Sequence, residues 1–374
     1  MIGGGQLSRM TAEAATALGI GFRVLAERPD DSAAQVVADT RFGSHTDREA
    51  VLAFAEGCDV VTFDHEHVPT GILEELIDRG IAVRPGPASL FHAQDKAHMR
   101  AALTALHLPC PDWSLVHSPS DVAEFAGQHG WPLVLKTSRG GYDGRGVWKV
   151  DSLDEVRTVL AHPLPPGAQW LVEQFIPFTR ELSAQVARSP HGQAVTYPVV
   201  QTTQTNGICT EVISPAPNLS EQRALQAQEL ALTIAKQLDV VGMLAVELFD
   251  TGDRLYVNEL AMRPHNSGHW SIEGAVTSQF ENHLRAVLDL PLGDPRARAP
   301  YAVMVNILGG DVGGLTSAYR HVLARDPELK VHLYGKEVRP GRKVGHVTLL
   351  GGDPAALLNR ARHAVDYFSG RIDE

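Results

Sequence analysis

Two acids on neighbouring apolar runs carry the first chemical signal. Glu247 lies on one run, Asn258-Glu259 on the next, and Asp250-Thr-Gly-Asp253 between them is a hairpin signal. With the turn centred on Gly252, Glu247 faces Val257, and Glu259 lies two residues further on, diagonal to Glu247 on the same face. Side chains leaning together from about 7–8 Å can share one or two hard cations. Mg²⁺ in particular takes one or two carboxylates and completes its shell with substrate phosphate oxygens. Two solvated acids on an exposed sheet face are the plainer reading. Against it, the flanks Met243-Leu-Ala-Val and Leu-Ala-Met262 are apolar, so the hairpin reads as buried, and buried acids need a partner.

A second signal is the stretch KTSRGGYDGRGVWK from Lys136 to Lys149. Its eight residues Arg139–Gly146 hold four glycines, two arginines, one aspartate and one tyrosine, directly after the apolar run Leu133-Val-Leu135. So much glycine costs stability, because each one loses more backbone freedom on folding. A strand, a lysine at its end and a glycine-rich loop with cations form a phosphate cradle, in which backbone N–H groups and positive charge surround an anion. A surface turn is the bland alternative.

Further along, Lys336-Glu-Val-Arg339-Pro-Gly-Arg342-Lys343 places four cations in eight residues, a local anion trap in an acidic protein. Arg263-Pro-His265-Asn-Ser-Gly-His269-Trp270 is dense in polar groups immediately after Glu259. A zinc pair at His265 and His269 lacks an evident third ligand, and spacing alone is weak evidence for such a site. Asp64-His65-Glu66-His67 is read in the same way, as loop histidines exposed to water. Gly3-x-Gly5-x-x-Ser8 with Glu27 imitates a dinucleotide fingerprint, but serine replaces the third glycine and only Met1 and Ile2 precede it. A phosphate or small-substrate site at a helix N-terminus fits it equally well. Glu173-Gln174-Phe175-Ile176 ends a strand, where backbone groups can meet a purine edge, and Glu181 follows as an acceptor for ribose hydroxyls.

The elements that must position these groups follow from pattern. A helix to about Leu18 and strands at Phe22–Ala26 and Val60–Phe63 give a β-α-β rhythm and hence a parallel sheet. Arg84-Pro-Gly-Pro87 marks a boundary, and Ser89–Leu106 is helical. Strands are expected near 133–136, 170–173, 183–186 and 195–200. Ser220 caps a helix whose apolar stripe runs Ala227, Leu230, Ala231, Ile234, Ala235, Leu238. Leu290–Pro300 is a second boundary. The resulting domains are 1–88, 89–290 and 291–374.

The whole chain, 374 residues, is 44% hydrophobic and 21% charged, in the range of a globular protein of two or three domains. No apolar run is long enough to span a membrane, and no basic-then-apolar leader opens the chain. Three scattered cysteines point to a reducing, cytoplasmic setting. A net charge of −11 argues against a nucleic-acid partner, whose backbone demands cations, while leaving room for a small anion at a local basic cluster.

Taken in order, RGGYDGRG, EQFI with Glu181, AVELF with NELAMRPHNSGHW, and KEVRPGRKVGH resemble the 5-(carboxyamino)imidazole ribonucleotide synthetase family of the ATP-grasp superfamily, from Gly3 to about Leu350. The resemblance implies α/β and α+β architecture: a Rossmann-like N-terminal domain, a two-part ATP-grasp unit clamping ATP between sheets, and a small C-terminal domain, commonly as a homodimer. It implies the carboxylation of 5-aminoimidazole ribonucleotide with bicarbonate, using ATP and Mg²⁺ or Mn²⁺, in purine biosynthesis. Residue by residue it implies ATP phosphate contacts at Lys96 and Lys136 and a lid of Gly141, Tyr142, Asp143, Gly144, Arg145, Gly146 and Val147. Glu173, Gln174, Phe175 and Ile176 would line the adenine, Glu181 the ribose, with Gln204 and Asn258 also near the nucleotide. Glu247 and Glu259 would bind the metal. Lys336, Arg339, Arg342 and Lys343 would hold the ribonucleotide phosphate. Gln6, Leu7, Asn266 and Ser267 would line the aminoimidazole, with Tyr142, Asp143, Arg145 and His265 as the catalytic set. The chain departs from the family at Gln204, where many relatives carry histidine, and in 352–374, which carries no family motif. Rival readings are another ATP-grasp ribonucleotide ligase, a biotin carboxylase, an NAD-dependent dehydrogenase built on the N-terminal glycines, and a nucleotide sensor without turnover.

Overall fold

A computed structural model describes residues 1–141, 144–310 and 314–373. At the N-terminus the strand pairs Arg23–Ala26 with Asp39–Phe42 and Val60–Val61 with Ala82–Val83 are both parallel. Ile2 joins them through parallel bridges to Leu25 and Phe63. The expected first strand is thus in its place but shortened to a single bridging residue, fully buried among Leu25, Val61 and Phe63.

The helix expected over Ser89–Leu106 is two helices, Pro87–Gln94 and Lys96–Ala105. They part at Asp95, whose backbone is extended and whose Oδ1 accepts from the N–H groups of Ala97 and His98 at 3.0 and 3.1 Å. An aspartate cap satisfies donors that a continuous helix would have used, and it starts the second helix at Lys96.

Two antiparallel sheets follow. The smaller has the order Trp113–Val116, Trp170–Gln174, Leu133–Thr137, Val147–Val150. The larger, of nine strands, runs from Leu255–Ala261 through Gly242–Asp250, Arg180–Arg188, Val200–Thr205 and Ile208–Ser214 to Tyr301–Leu308, Lys343–Gly351 and Lys330–Leu333. The single strand expected over 195–200 is interrupted: Ala194–Thr196 pairs off the path with Arg180–Arg188, and Val200 starts the next strand.

Alternation along Arg180–Arg188 divides the large sheet. Leu182, Ala184 and Val186 join the apolar cluster containing Ala227, Leu230, Ala231 and Ile234 of the helix Glu221–Gln237. Glu181, Ser183 and Gln185 point to the opposite face, where the polar groups collect. The motif-less tail forms the helix Pro354–Phe368, which buries Leu357, Ala361, Ala364, Val365 and Phe368 against Tyr301–Leu308 and Lys343–Gly351. Among the described residues, no helix is long and apolar enough to cross a membrane.

Candidate active site

The hairpin acids are closer than a regular ladder would place them. Glu247 pairs directly with Glu259, whereas Leu248 pairs with Val257, so Asn258 is an extra residue on its strand. The diagonal register expected from sequence is thus replaced in two one-residue steps: the ladder opens with Asp250 opposite Leu255, and the bulge adds the second. An inserted residue shifts every pair beyond it by one and re-aims the side chains beside it. Glu181 shares their face, and its carboxyl is pushed up to about 7 by burial. Burial, then Glu259 and Glu181, pushes Glu247 up to about 8. The three acids thus share one face of the sheet, with the carboxamide of Asn258 beside the pair, and carboxylate oxygens of this kind are the ligands a hard divalent cation takes.

Cations line the other side. Lys96 Nζ lies 3.3 Å from Glu259 Oε1. Lys96 is fixed by the cap at Asp95, by its own N–H donating to the Ser138 carbonyl at 2.8 Å, and by Arg139 Nε donating to Asp95 Oδ2 at 2.6 Å. Lys136, at the end of its strand in the small sheet, reaches across to Asn258 Oδ1 at 3.4 Å. Its ammonium also lies 2.7 Å from Glu173 Oε2. Glu173 is fully enclosed and bonded by Arg100 as well, at 2.8 Å. Burial would raise its carboxyl, but Arg100 and Lys136 hold it down to about 2. The Glu173 side chain therefore cannot line a purine; only its backbone remains for that role. Gln174, Phe175 and the buried Ile176 follow it, and Lys149 stands 5.1 Å over the Phe175 ring.

Of the loop expected to close over the nucleotide, Tyr142 and Asp143 lie outside the described residues. Gly144, with φ +76°, sits so close to the turn at Asn206-Gly207 that a Cβ there would meet Gly207 Cα at 2.8 Å. Gln204, at a bulge beside this turn, is half-buried. Gly141, Gly146 and Val147 continue the loop, with Gly146 accepting from Thr137 N at 3.0 Å. Arg145 is exposed on it.

Behind the acids, His265 Nε2 stands 3.5 Å from Glu247 Oε1. Its Nδ1 meets the Ser267 hydroxyl at 2.8 Å and accepts from Ser267 N at 3.4 Å. Burial, then Arg263 and Lys343, lowers it to about 3, so the ring is neutral. Ser267 is fully buried and engaged with Ser183 and Gln185, so its hydroxyl supports His265 instead of facing a ligand. Gln279, which sequence reasoning missed, clamps both backbone groups of His265: Oε1 accepts from His265 N at 2.9 Å and Nε2 donates to His265 O at 2.8 Å. The neighbouring Asn266 Nδ2 is buried and meets no acceptor among the described residues.

The N-terminal glycines prove to be a protein-filled site. Asp64 Oδ2 accepts from Gly5 N at 2.7 Å and Oδ1 from Ser8 N at 3.0 Å. The helix Gln6–Leu18 thus has a carboxylate where a dinucleotide phosphate would sit, which removes the dehydrogenase reading. Leu7 is buried with Met10, Phe280 and Tyr334, so its side chain belongs to the core. Gln6 instead accepts from Lys336 Nζ at 2.5 Å. The basic run divides: Arg339 pairs with Glu337 at 2.6 Å and Arg342 donates to the Glu337 carbonyl at 3.3 Å, while the charge of Lys343 acts on Glu247 and His265.

A small sheet and a helix offering Lys136 and Lys96 toward the paired acids of a large sheet, beside a glycine-rich loop, define an ATP-grasp ligase. An ATP-grasp domain model matches residues 101–280, a ribonucleotide synthetase preATP-grasp domain 1–94, and a phosphoribosylaminoimidazole carboxylase C-terminal domain 302–360. The chain is 52% identical over 373 residues to the N5-carboxyaminoimidazole ribonucleotide synthase of Mycobacterium tuberculosis, covering 99% of this chain and 87% of that one. The crystal structure of the synthetase from Thermus thermophilus is 38% identical, with a TM-score of 0.86 over 100% of this chain and 99% of that one. The Aspergillus clavatus synthase in complex with ADP and 5-aminoimidazole ribonucleotide is 33% identical, with a TM-score of 0.90 over 99% of this chain and 98% of that one. The chain belongs to the N5-carboxyaminoimidazole ribonucleotide synthase family.

Proposed function

We infer that this chain catalyses the ATP-dependent carboxylation of 5-aminoimidazole ribonucleotide in purine biosynthesis, with bicarbonate as the carbon source. The observation that carries the reading is the direct opposition of Glu247 and Glu259 beside Lys96. Bicarbonate is a poor electrophile. Attack of its oxygen on the γ-phosphorus, with loss of ADP, gives carboxyphosphate. The amine nitrogen then forms a bond to the carboxyl carbon as the carbon–oxygen bond to phosphate breaks, and the amine proton passes to a base.

The chain's own groups fit these steps. Lys96, beside Glu259, and Lys136, beside Asn258, would hold nucleotide phosphates by charge. Glu247 and Glu259, with Asn258, would hold Mg²⁺ or Mn²⁺, which supplies positive charge against the transferring phosphoryl oxygens. Glu181 would accept from ribose hydroxyls. The backbone of Glu173 to Ile176 would meet the adenine. The lid would exclude water from the acyl phosphate, with Gly144 against Gly207 as its seat. His265, neutral and clamped, orients the amine; Asp143 is the base we favour. Lys336 with Gln6, joined by Arg339 and Arg342, would take the ribonucleotide phosphate, and Lys343 the carboxyl group near Glu247. Free Cys58, Cys110 and Cys209 accord with a cytoplasmic setting. A homodimer is the expected assembly.

The test is ADP release by the purified chain with each substrate omitted in turn. Carboxylated ribonucleotide should form only with ATP, bicarbonate and 5-aminoimidazole ribonucleotide together. ADP release that ignores the amine, or formate or biotin serving as well as bicarbonate, would overturn the reading.

A further inference from the structure

One side chain joins the two halves of the nucleotide cleft. Arg100 is wholly buried one helical turn after Lys96. Its Nε donates to Glu173 Oε1 at 2.8 Å and its Nη2 to the backbone carbonyl of Asn258 at 2.9 Å. The first contact reaches the small sheet and the second reaches the bulge in the large one.

Each contact has a consequence. Glu173 also holds Lys136 at 2.7 Å. Without Arg100 the pair Glu173–Lys136 would be neutral, and the ammonium would spend its charge on its own carboxylate. With Arg100 the buried triad carries a net charge of +1, and Lys136 retains attraction for an anion while Glu173 fixes its position. The Asn258 carbonyl belongs to the extra residue of the bulge, and the hydrogen bond it accepts comes from outside the ladder. The Arg100 guanidinium supplies that bond. It thereby holds the register that sets Glu259 directly opposite Glu247 and turns Asn258 Oδ1 toward Lys136. A planar fork can serve both acceptors at once; an ammonium cannot.

We infer that Arg100 is a positioning residue for two ligands at once: through Glu173 it sets the lysine that meets the nucleotide phosphates, and through the Asn258 carbonyl it sets the carboxylate pair that meets the divalent cation. This rests on the nucleotide reading above and names a residue that touches neither ligand.

The experiment measures binding, by calorimetry, of ADP alone, of Mn²⁺ with ADP, and of 5-aminoimidazole ribonucleotide. It compares the full chain with Arg100→Met and Arg100→Lys. Arg100→Met leaves Glu173 and Lys136 as a mutually neutral pair, so no unpaired buried charge opposes folding. It should weaken ADP alone and Mn²⁺ each by about tenfold, the effect of one lost charge-assisted contact, with ribonucleotide affinity within about twofold. Arg100→Lys keeps the charge but not the fork. It should restore ADP affinity to within about threefold while Mn²⁺ affinity stays weak. Unchanged ADP affinity in Arg100→Met overturns the inference. So does equal loss of all three ligands in both variants, which marks a general packing role. Failure of the unaltered chain to bind ADP would instead refute the nucleotide reading itself.

Discussion

Glu247 and Glu259 stand directly opposite each other across an antiparallel pair because Asn258 is bulged out of the ladder between them. Without the bulge, the ladder that pairs Asp250 with Leu255 would set Glu247 against Asn258 and turn Glu259 to the other face. The direct pairing concentrates negative charge at one point, which adds to burial in raising the Glu247 carboxyl.

Glu247→Gln should therefore lower kcat by about 10²–10³-fold, measured as bicarbonate-dependent ADP release. The same variant should stabilise the metal-free chain. The native carboxyl titrates at about 8 against 4.5 for the free group, so the stability it contributes is complete at low pH and is lost as pH rises through that window. The melting-temperature advantage of Glu247→Gln over the unaltered chain should grow between pH 5 and pH 8. A constant advantage would contradict the buried-acid account.

Gln279→Leu removes both bonds to the His265 backbone and leaves a buried N–H and C=O unpaired. A loss of about 1–3 kcal/mol in stability is expected, read by urea unfolding. The kcat of the surviving protein should fall while the KM for ATP holds, because the clamp acts on the ring beside Glu247 and not on the nucleotide lysines.

Lys336→Met should raise the KM for the ribonucleotide by about 10–100-fold, the size of a lost charged hydrogen bond, with the KM for ATP unmoved. Gln6→Ala should give a smaller effect in the same direction, since Gln6 holds the ammonium in place. A change confined to ATP would place the basic run at the wrong ligand.

His283 offers a pH test away from the cleft. It is fully buried, its Nδ1 accepts from Met243 N at 3.1 Å, and its Nε2 therefore donates to Thr62 Oγ1 at 2.8 Å, joining the N-terminal sheet to the large one. Burial lowers it from 6.5 to about 3. The stability it contributes is present above pH 6.5 and is lost as pH falls toward 3, because the unfolded chain then takes up a proton that the native ring refuses. Acid unfolding of His283→Gln, followed by circular dichroism, should be shallower between pH 6 and pH 4 than that of the unaltered chain.

The sequence by itself determined the local chemistry. Turn residues at Asp250-Thr-Gly-Asp253 put Glu247 and Glu259 on adjacent strands, apolar stripes fixed the helix Glu221–Gln237, and β-α-β spacing fixed parallel pairing at the N-terminus. Such signals are legible because they rest on periods of a few residues. Only the tertiary structure decided what filled and aligned the site. The carbonyl of Asn258 at the bulge accepts from Arg100, which lies on a helix 158 positions earlier. The helix N-terminus at Gly5 is taken by Asp64, 59 positions later. Leu7 turned to the core and Lys343 parted from Lys336 for the same reason. Charges and backbone donors are satisfied by whatever the fold brings near, and distance along the chain carries no record of that.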